Sequence, residues 1–228
     1  MVAVLDPGRL GPTLVVAPHP DDESIGCGGL IACLRSRAVE VSVVIVTDGS
    51  GSHPASRDFP PAQLAALRAA EALAALRILG VQEHHAFYLG QADRFVPAVD
   101  APGFDDAVAE AGAMLRRLRP STLVIPSPAD AHGDHQAVAT IWRRAAATVQ
   151  PGPRLLEYLV WPAGEGAPKG DPLRLDIAEF LPRKRLAVAA HRSQLGLAVT
   201  DDPHGFVLPP ALLARADDPI ETYYERPG

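Results

Sequence analysis

The chain is 228 residues long, enough for one well-buried domain and short for two. Hydrophobic residues make up 47% and charged residues 21%, which excludes a disordered chain, a collagen-like repeat and a coiled coil. With 21 Lys and Arg against 27 Asp and Glu, the net charge of −6 offers no broad basic footprint for nucleic acid or an anionic membrane surface.

The start, from Met1 to Gly8, lacks a basic region followed by a long apolar core, so no secretion signal is read. No apolar run approaches the ~18 residues of a membrane span, and the expected compartment is a reduced cytoplasm. Thr13–Ala17 is a short apolar run ended by Pro18 and reads as a buried strand. Residues 24–37 read as a helix with an acid-rich start. Cys27 and Cys33 both fall on it, about 240° apart at helical spacing, so a mutual disulfide is not expected. Val41–Thr47 is the clearest strand, β-branched at most positions and ended by Asp48-Gly49-Ser50-Gly51. Residues 62–79 form an Ala/Leu/Arg helix with Gly80 as its stop.

The alternation continues with a strand at 85–89, a helix at 105–118, a strand at 122–125, a helix at 135–148 and a strand at 155–160. Residues 173–180 read as a strand of an antiparallel extension, 182–194 as a helix, and the remainder as a Pro-studded tail. Strands alternating with helices of this length predict an α/β fold of one domain over residues 1–228. Its sheet is doubly wound and mostly parallel, with helices on both faces and a small C-terminal extension.

Two clusters carry chemistry. The first, Pro18-His19-Pro20-Asp21-Asp22-Glu23, directly follows the first strand, where a doubly wound sheet places its ligands. His19 and Asp22, three residues apart, can face one ion from a single turn, and a neutral imidazole with a carboxylate suits zinc. The acidic triplet alone would do no more than favour a helix N-terminus. Capping, however, does not require a histidine between two prolines, and it leaves the second cluster unexplained. That second cluster, His132-Gly133-Asp134-His135, follows the fourth strand, the expected neighbour of the first across the switch point. His19, Asp22 and His135 would then supply three ligands and leave an open position, the pattern of a catalytic zinc site, with Asp21 and His132 free for acid–base and electrostatic work.

These motifs resemble those of the zinc-dependent N-acetylglucosaminyl deacetylases of the LmbE/PIG-L type, which carry (A/P)HPDDE after the first strand and HxDH after a later one. Weaker matches are Thr47-Asp48-Gly49, Arg68 with Glu71 ahead of Leu79-Gly80, and Lys184 ahead of His191-Arg192-Ser193-Gln194. The resemblance implies one zinc ion per chain, or another divalent metal, on His19, Asp22 and His135. It also implies Asp21 as general base and His132 as oxyanion stabiliser, oriented by Asp134. The implied reaction is hydrolysis of an N-acetyl amide on an N-acetylated small molecule, most plausibly a sugar. Nucleic acid and membrane insertion are not expected, and the sequence leaves open whether the chain forms a homo-oligomer.

Other residues read less sharply. Arg68 is a candidate for substrate contact, set against a lateral ion pair with Glu71 three residues on. His191 could reach the cleft or sit on a solvated helix end. His84 and His85 would point to opposite faces of a strand, and His53 reads as solvated. Loops 50–61, 91–103 and 162–172 are expected at the mouth of the site. Gly26, Gly28 and Gly29 fail the G-x-G-x-x-G dinucleotide spacing, because Ile31 holds its last position, and read as close helix–sheet packing. A non-catalytic metal- or carbohydrate-binding protein would be expected to lose Asp21 or His132, and both are present. Cleavage of an ester or another amide is left open.

Overall fold

The computed structural model describes residues 3–164 and 166–225. In chain order its elements are β1 (Ala3–Val4), β2 (Thr13–Ala17), α1 (Asp22–Ser36), β3 (Val41–Thr47), α2 (Pro61–Leu79), β4 (Ala86–Gln91) and α3 (Phe104–Leu118). They continue as β5 (Thr122–Pro126), α4 (Gly133–Ala147), β6 (Arg154–Tyr158), β7 (Asp171–Asp176), α5 (Leu181–Ala190), α6 (Pro210–Ala216) and β8 (Ile220–Glu225). The strands form one sheet in the order β1-β7-β8-β6-β5-β2-β3-β4, parallel throughout except where β8 pairs with β6 and β7.

Apolar strands buried on both faces split their side chains by the two-residue period. Val15, Ala17, Val43, Ile45 and Val124 join a core with α1, α2, α5 and α6. Leu14, Val16, Val44, Val46, Leu123 and Ile125 join a second core with α3 and α4. Helices therefore cover both faces, as the alternation predicts. Helix α1 lies close to the sheet because Gly26 has no side chain: a Cβ there would overlap the ring of Tyr158. The Tyr158 hydroxyl in turn donates to Val16 O at 2.9 Å, tying β6 to β2 beneath the site.

The first predicted strand, β2, pairs with the fourth, β5, in register from Thr13↔Thr122 to Val15↔Val124. Beyond β2 the chain winds outward to β3 and β4, then returns to β5 and β6 on the other side. The carboxyl ends of β2 and β5 thus flank the switch point, and both clusters start there.

Several expectations need correction. His84 and His85 lie in a one-turn 3-10 helix at Glu83–His85, before β4 rather than in it, with ring centroids 4.3 Å apart. The tail is ordered into α6 and β8, because β8 bridges β6 and β7 and Glu221 on it accepts from Gly29 N and Leu30 N at 2.8 Å each. The N-terminal strand β1, paired to β7, had no counterpart in the sequence reading. Met1 and Val2, part of the N-terminal stretch read for a secretion signal, lie outside the described residues. Cys27 and Cys33 are both free, as expected, and the structure buries both. No helix among the described residues is long and apolar enough to cross a membrane.

Candidate metal centre

His19 Nδ1, Asp22 Oδ2 and His135 Nε2 form a buried triangle with edges of 3.1, 3.1 and 3.3 Å. Four ligands at ~2.0–2.2 Å from a tetrahedral ion would stand about 3.3–3.6 Å apart. Two nitrogens and a carboxylate oxygen at these separations therefore fit a zinc-sized ion with little movement. The triangle exists because His19 precedes the start of α1, Asp22 is its first residue, and His135 lies in the first turn of α4.

The far nitrogen of each imidazole faces carboxylate. His19 Nε2 lies 3.0 Å from Asp134 Oδ2 and 3.3 Å from Asp93 Oδ1. His135 Nδ1 lies 3.2 Å from Asp130 Oδ2. A carboxylate behind a ligating histidine fixes its tautomer and raises its basicity. Burial alone would lower the pKa of both histidines. For His135 the charges of Asp22 and Asp130 win, raising it to about 9. For His19, Asp134, Asp22 and Asp93 together hold it well above its ordinary value. Burial would raise Asp22, yet His135 and His19 hold it well below the usual carboxylate range.

His132 is expected to be oriented by Asp134, and the Asp134 backbone N–H donates to His132 Nδ1 at 3.2 Å. The carboxylate itself is engaged with His19 and with Arg94 N. A ring nitrogen that accepts leaves the proton on Nε2, so His132 is a neutral donor there. Burial and the charges of His19 and His135 lower its pKa, which keeps it neutral. His132 also offers a nitrogen near those of His19 and His135, a second grouping that three imidazoles could form.

Asp21 sits between the triangle and α2. Its carboxylate lies 3.3 Å from Arg68 Nη2, and burial, opposed by Arg68, pushes its pKa up to about 7. Arg68 is buried and makes no lateral pair with Glu71. Its Nη1 donates to Gly49 O at 2.9 Å and its Nη2 to Pro20 O at 2.6 Å. Gly49, at φ +67°, leaves the space that the guanidinium fills. Glu71 instead accepts from Ser193 N and Ser193 Oγ.

The remaining candidates fall into place around these. His191 is buried, 3.1 Å from Glu23 Oε1 and from Ser24 Oγ, and is not solvated. His53 is also buried, beneath Gly205, with Nδ1 3.0 Å from Ser52 Oγ. Lys184 pairs with Glu221 at 2.8 Å and does not line the cleft. A cleft of about 250 Å³ opens over the triangle, with His19, Asp21, Asp22, Arg68 and His132 on its floor and sides. Loops 50–61 and 91–103 contribute Ser52, Asp93 and Arg94. Among the described residues loop 162–172 contributes none, and its Glu165 lies outside them. Its place is taken by Phe206, Leu208 and Leu212, which the ordering of α6 brings beside Trp161. Asp93 and Asp130 were missed from sequence; each stands in an irregular loop without a motif of its own.

Residues 14–146 match the family described as PIG-L: GlcNAc-PI de-N-acetylase. The probable N-acetyl-alpha-D-glucosaminyl L-malate deacetylase 2 of Bacillus anthracis is 31% identical over 197 residues, 82% of this chain and 83% of that protein. The diacetylchitobiose deacetylase of Thermococcus kodakarensis is 30% identical over 126 residues, 54% of this chain but only 44% of that protein. Among solved structures, the N,N'-diacetylchitobiose deacetylase from Pyrococcus horikoshii superposes with a TM-score of 0.68 at 25% identity, covering 82% of this chain and 72% of that one.

Proposed function

The chain belongs to the PIG-L family of deacetylases, and we propose that it hydrolyses the N-acetyl group of an N-acetylglucosamine-type sugar or sugar conjugate, using one zinc ion held by His19, Asp22 and His135. The triangle of ligand atoms, backed by carboxylates on both imidazoles, is the observation that carries this reading. When bound, such an ion supplies Lewis acidity toward a carbonyl oxygen and toward water.

The chain's own residues account for the rest of the chemistry. Water adds its oxygen to the acyl carbon, the C–N bond breaks, and the products are acetate and a free amine. Asp21, with its carboxyl raised toward neutrality, accepts the proton that water loses and returns it to the departing nitrogen. His132, with its proton on Nε2, donates to the oxygen on which negative charge grows. Arg68 holds Asp21 through Nη2. Arg68 and Gln194 both line the cleft, and Arg68 Nε and Gln194 Oε1 are buried and without a hydrogen-bond partner among the described residues. The two free thiols suit a reduced cytoplasm.

The test is an amine- and acetate-release screen of N-acetylated sugars and conjugates with zinc-loaded protein. Release from N-acetylglucosamine derivatives supports the reading. Release from esters alone, or from nothing in the presence of bound zinc, contradicts it.

A further inference from the structure

Asp21 stands at φ 134° and ψ −27°, a conformation that a residue with a Cβ rarely adopts. It is also the N-cap of α1, yet its side chain makes no capping hydrogen bond and an ordinary N-cap has extended dihedrals. The carboxylate is thus free for another task, and something else must hold the backbone.

The peptide joining Pro20 to Asp21 is gripped at both polar ends. Its carbonyl oxygen accepts from Arg68 Nη2 at 2.6 Å, and its N–H donates to Glu23 Oε2 at 3.0 Å. Both gripping side chains are buried and oppositely charged. Turning Asp21 to a relaxed φ would rotate this peptide plane and break both bonds together.

Glu23 needs a counter-charge of its own, because it is fully buried. Its Oε1 accepts from Ser24 Oγ at 2.7 Å and lies 3.1 Å from His191 Nε2. His191 follows α5, and the next turn is pinned to α2 where Ser193 N and Ser193 Oγ reach Glu71 at 2.8 and 2.6 Å. Neither Glu23 nor His191 lines the cleft, so neither is a catalytic residue.

We propose that Glu23, neutralised by His191, is a positioning residue that works with Arg68 to hold Asp21 in its strained conformation and so aim its carboxylate into the cleft. The proposal rests on Asp21 as the proton carrier. It assigns a role in the reaction to the last residue of the first motif, and it explains why a histidine from the C-terminal third of the chain reaches the start of α1.

The experiment is a double-mutant cycle on full-length, zinc-loaded protein, with N,N'-diacetylchitobiose as the probe. Glu23→Ala should lower kcat by about 100-fold, the usual effect of a small misplacement of a reacting group, with KM and zinc content unchanged. In an Asp21→Asn background the same substitution should cost less than about threefold, because the group it positions is already disabled. Glu23→Gln, which keeps an acceptor for Asp21 N, should restore much of the loss, and His191→Gln should fall between. Equal losses in both backgrounds would assign Glu23 to fold stability alone and overturn the proposal. If Glu23→Ala does not fold, Glu23→Gln and His191→Gln carry the cycle with the same criterion. Should the wild type release no acetate from any N-acetylated sugar or conjugate of the screen, the proposed function fails, and a crystal structure of His191→Gln or Glu23→Ala still decides this point. A relaxed, negative φ at Asp21 supports the clamp, and an unchanged φ overturns it.

Discussion

Asp134 Oδ2 lies 3.0 Å from His19 Nε2, so the aspartate of the second motif secures the histidine of the first. The two motifs are 115 residues apart and interlock through this contact as well as through the ligand triangle. Removing the Asp134 carboxylate should therefore disturb the metal more than the oxyanion donor. Asp134→Ala is expected to weaken zinc affinity by about 10–100-fold, the usual cost of losing a carboxylate behind a ligating histidine. Competition with a chelating dye measures it; an unchanged affinity with a large loss of kcat would return Asp134 to His132.

The interlock also sets a pH dependence. In metal-free protein the pKa of His135 is raised to about 9 and that of His19 is raised in the same direction. Raised histidines stabilise the fold fully below their ordinary value near 6.5, and that contribution is lost as pH climbs through about 9. Metal binding must displace those protons. The melting temperature of metal-free protein should fall between pH 6.5 and 9, while the increment from added zinc grows over the same window. Thermal melts with and without zinc check this, and an increment independent of pH would contradict it.

His132 is expected to leave the metal site intact when removed. His132→Ala should keep one zinc per chain and lower kcat by about 10²–10³-fold, the range for one lost oxyanion donor. KM should move little, because the lost bond belongs to the transition state. Loss of zinc in this variant would instead point to the grouping of three histidines.

The cleft has a polar side with Asp93 and Arg94 and an apolar side with Trp161, Phe206, Leu208 and Leu212. An N-acetylglucosamine carrying an aryl or alkyl aglycone should therefore be turned over with a lower KM than the free sugar. Phe206→Ala should reduce that preference severalfold. Equal KM values for the two substrates in the wild type would show that the apolar side takes no part.

How much of this was legible in the sequence follows from what signals locally. The central parallel strands β2, β3 and β5 announce themselves because both faces are buried, and every residue of Val41–Thr47 is apolar or β-branched or small. The proposed ligands announce themselves because His19, Asp22 and His135 lie in short motifs beside strand ends. Strand β8 was not legible: Ile-Glu-Thr-Tyr-Tyr-Glu is only half apolar, and its Glu221 is buried by a pairing with Lys184 that sequence distance conceals. Asp130 and Asp93 were hidden for a related reason. Asp93 faces His19 from a distant part of the chain, and Asp130 stands five residues before His135 in a loop whose path the sequence does not reveal. For Arg68 the sequence left substrate contact and a lateral pair with Glu71 both open, and only the folded position of Pro20 shows where its guanidinium goes.

The most direct measurement of the central claim is the anomalous difference density of zinc-soaked crystals, collected on both sides of the zinc edge. The account predicts one peak per chain within about 2.0–2.3 Å of His19 Nδ1, Asp22 Oδ2 and His135 Nε2. A peak held instead by His132, or one between His19 Nε2, Asp93 and Asp134, would contradict it, as would the absence of any peak at saturating zinc.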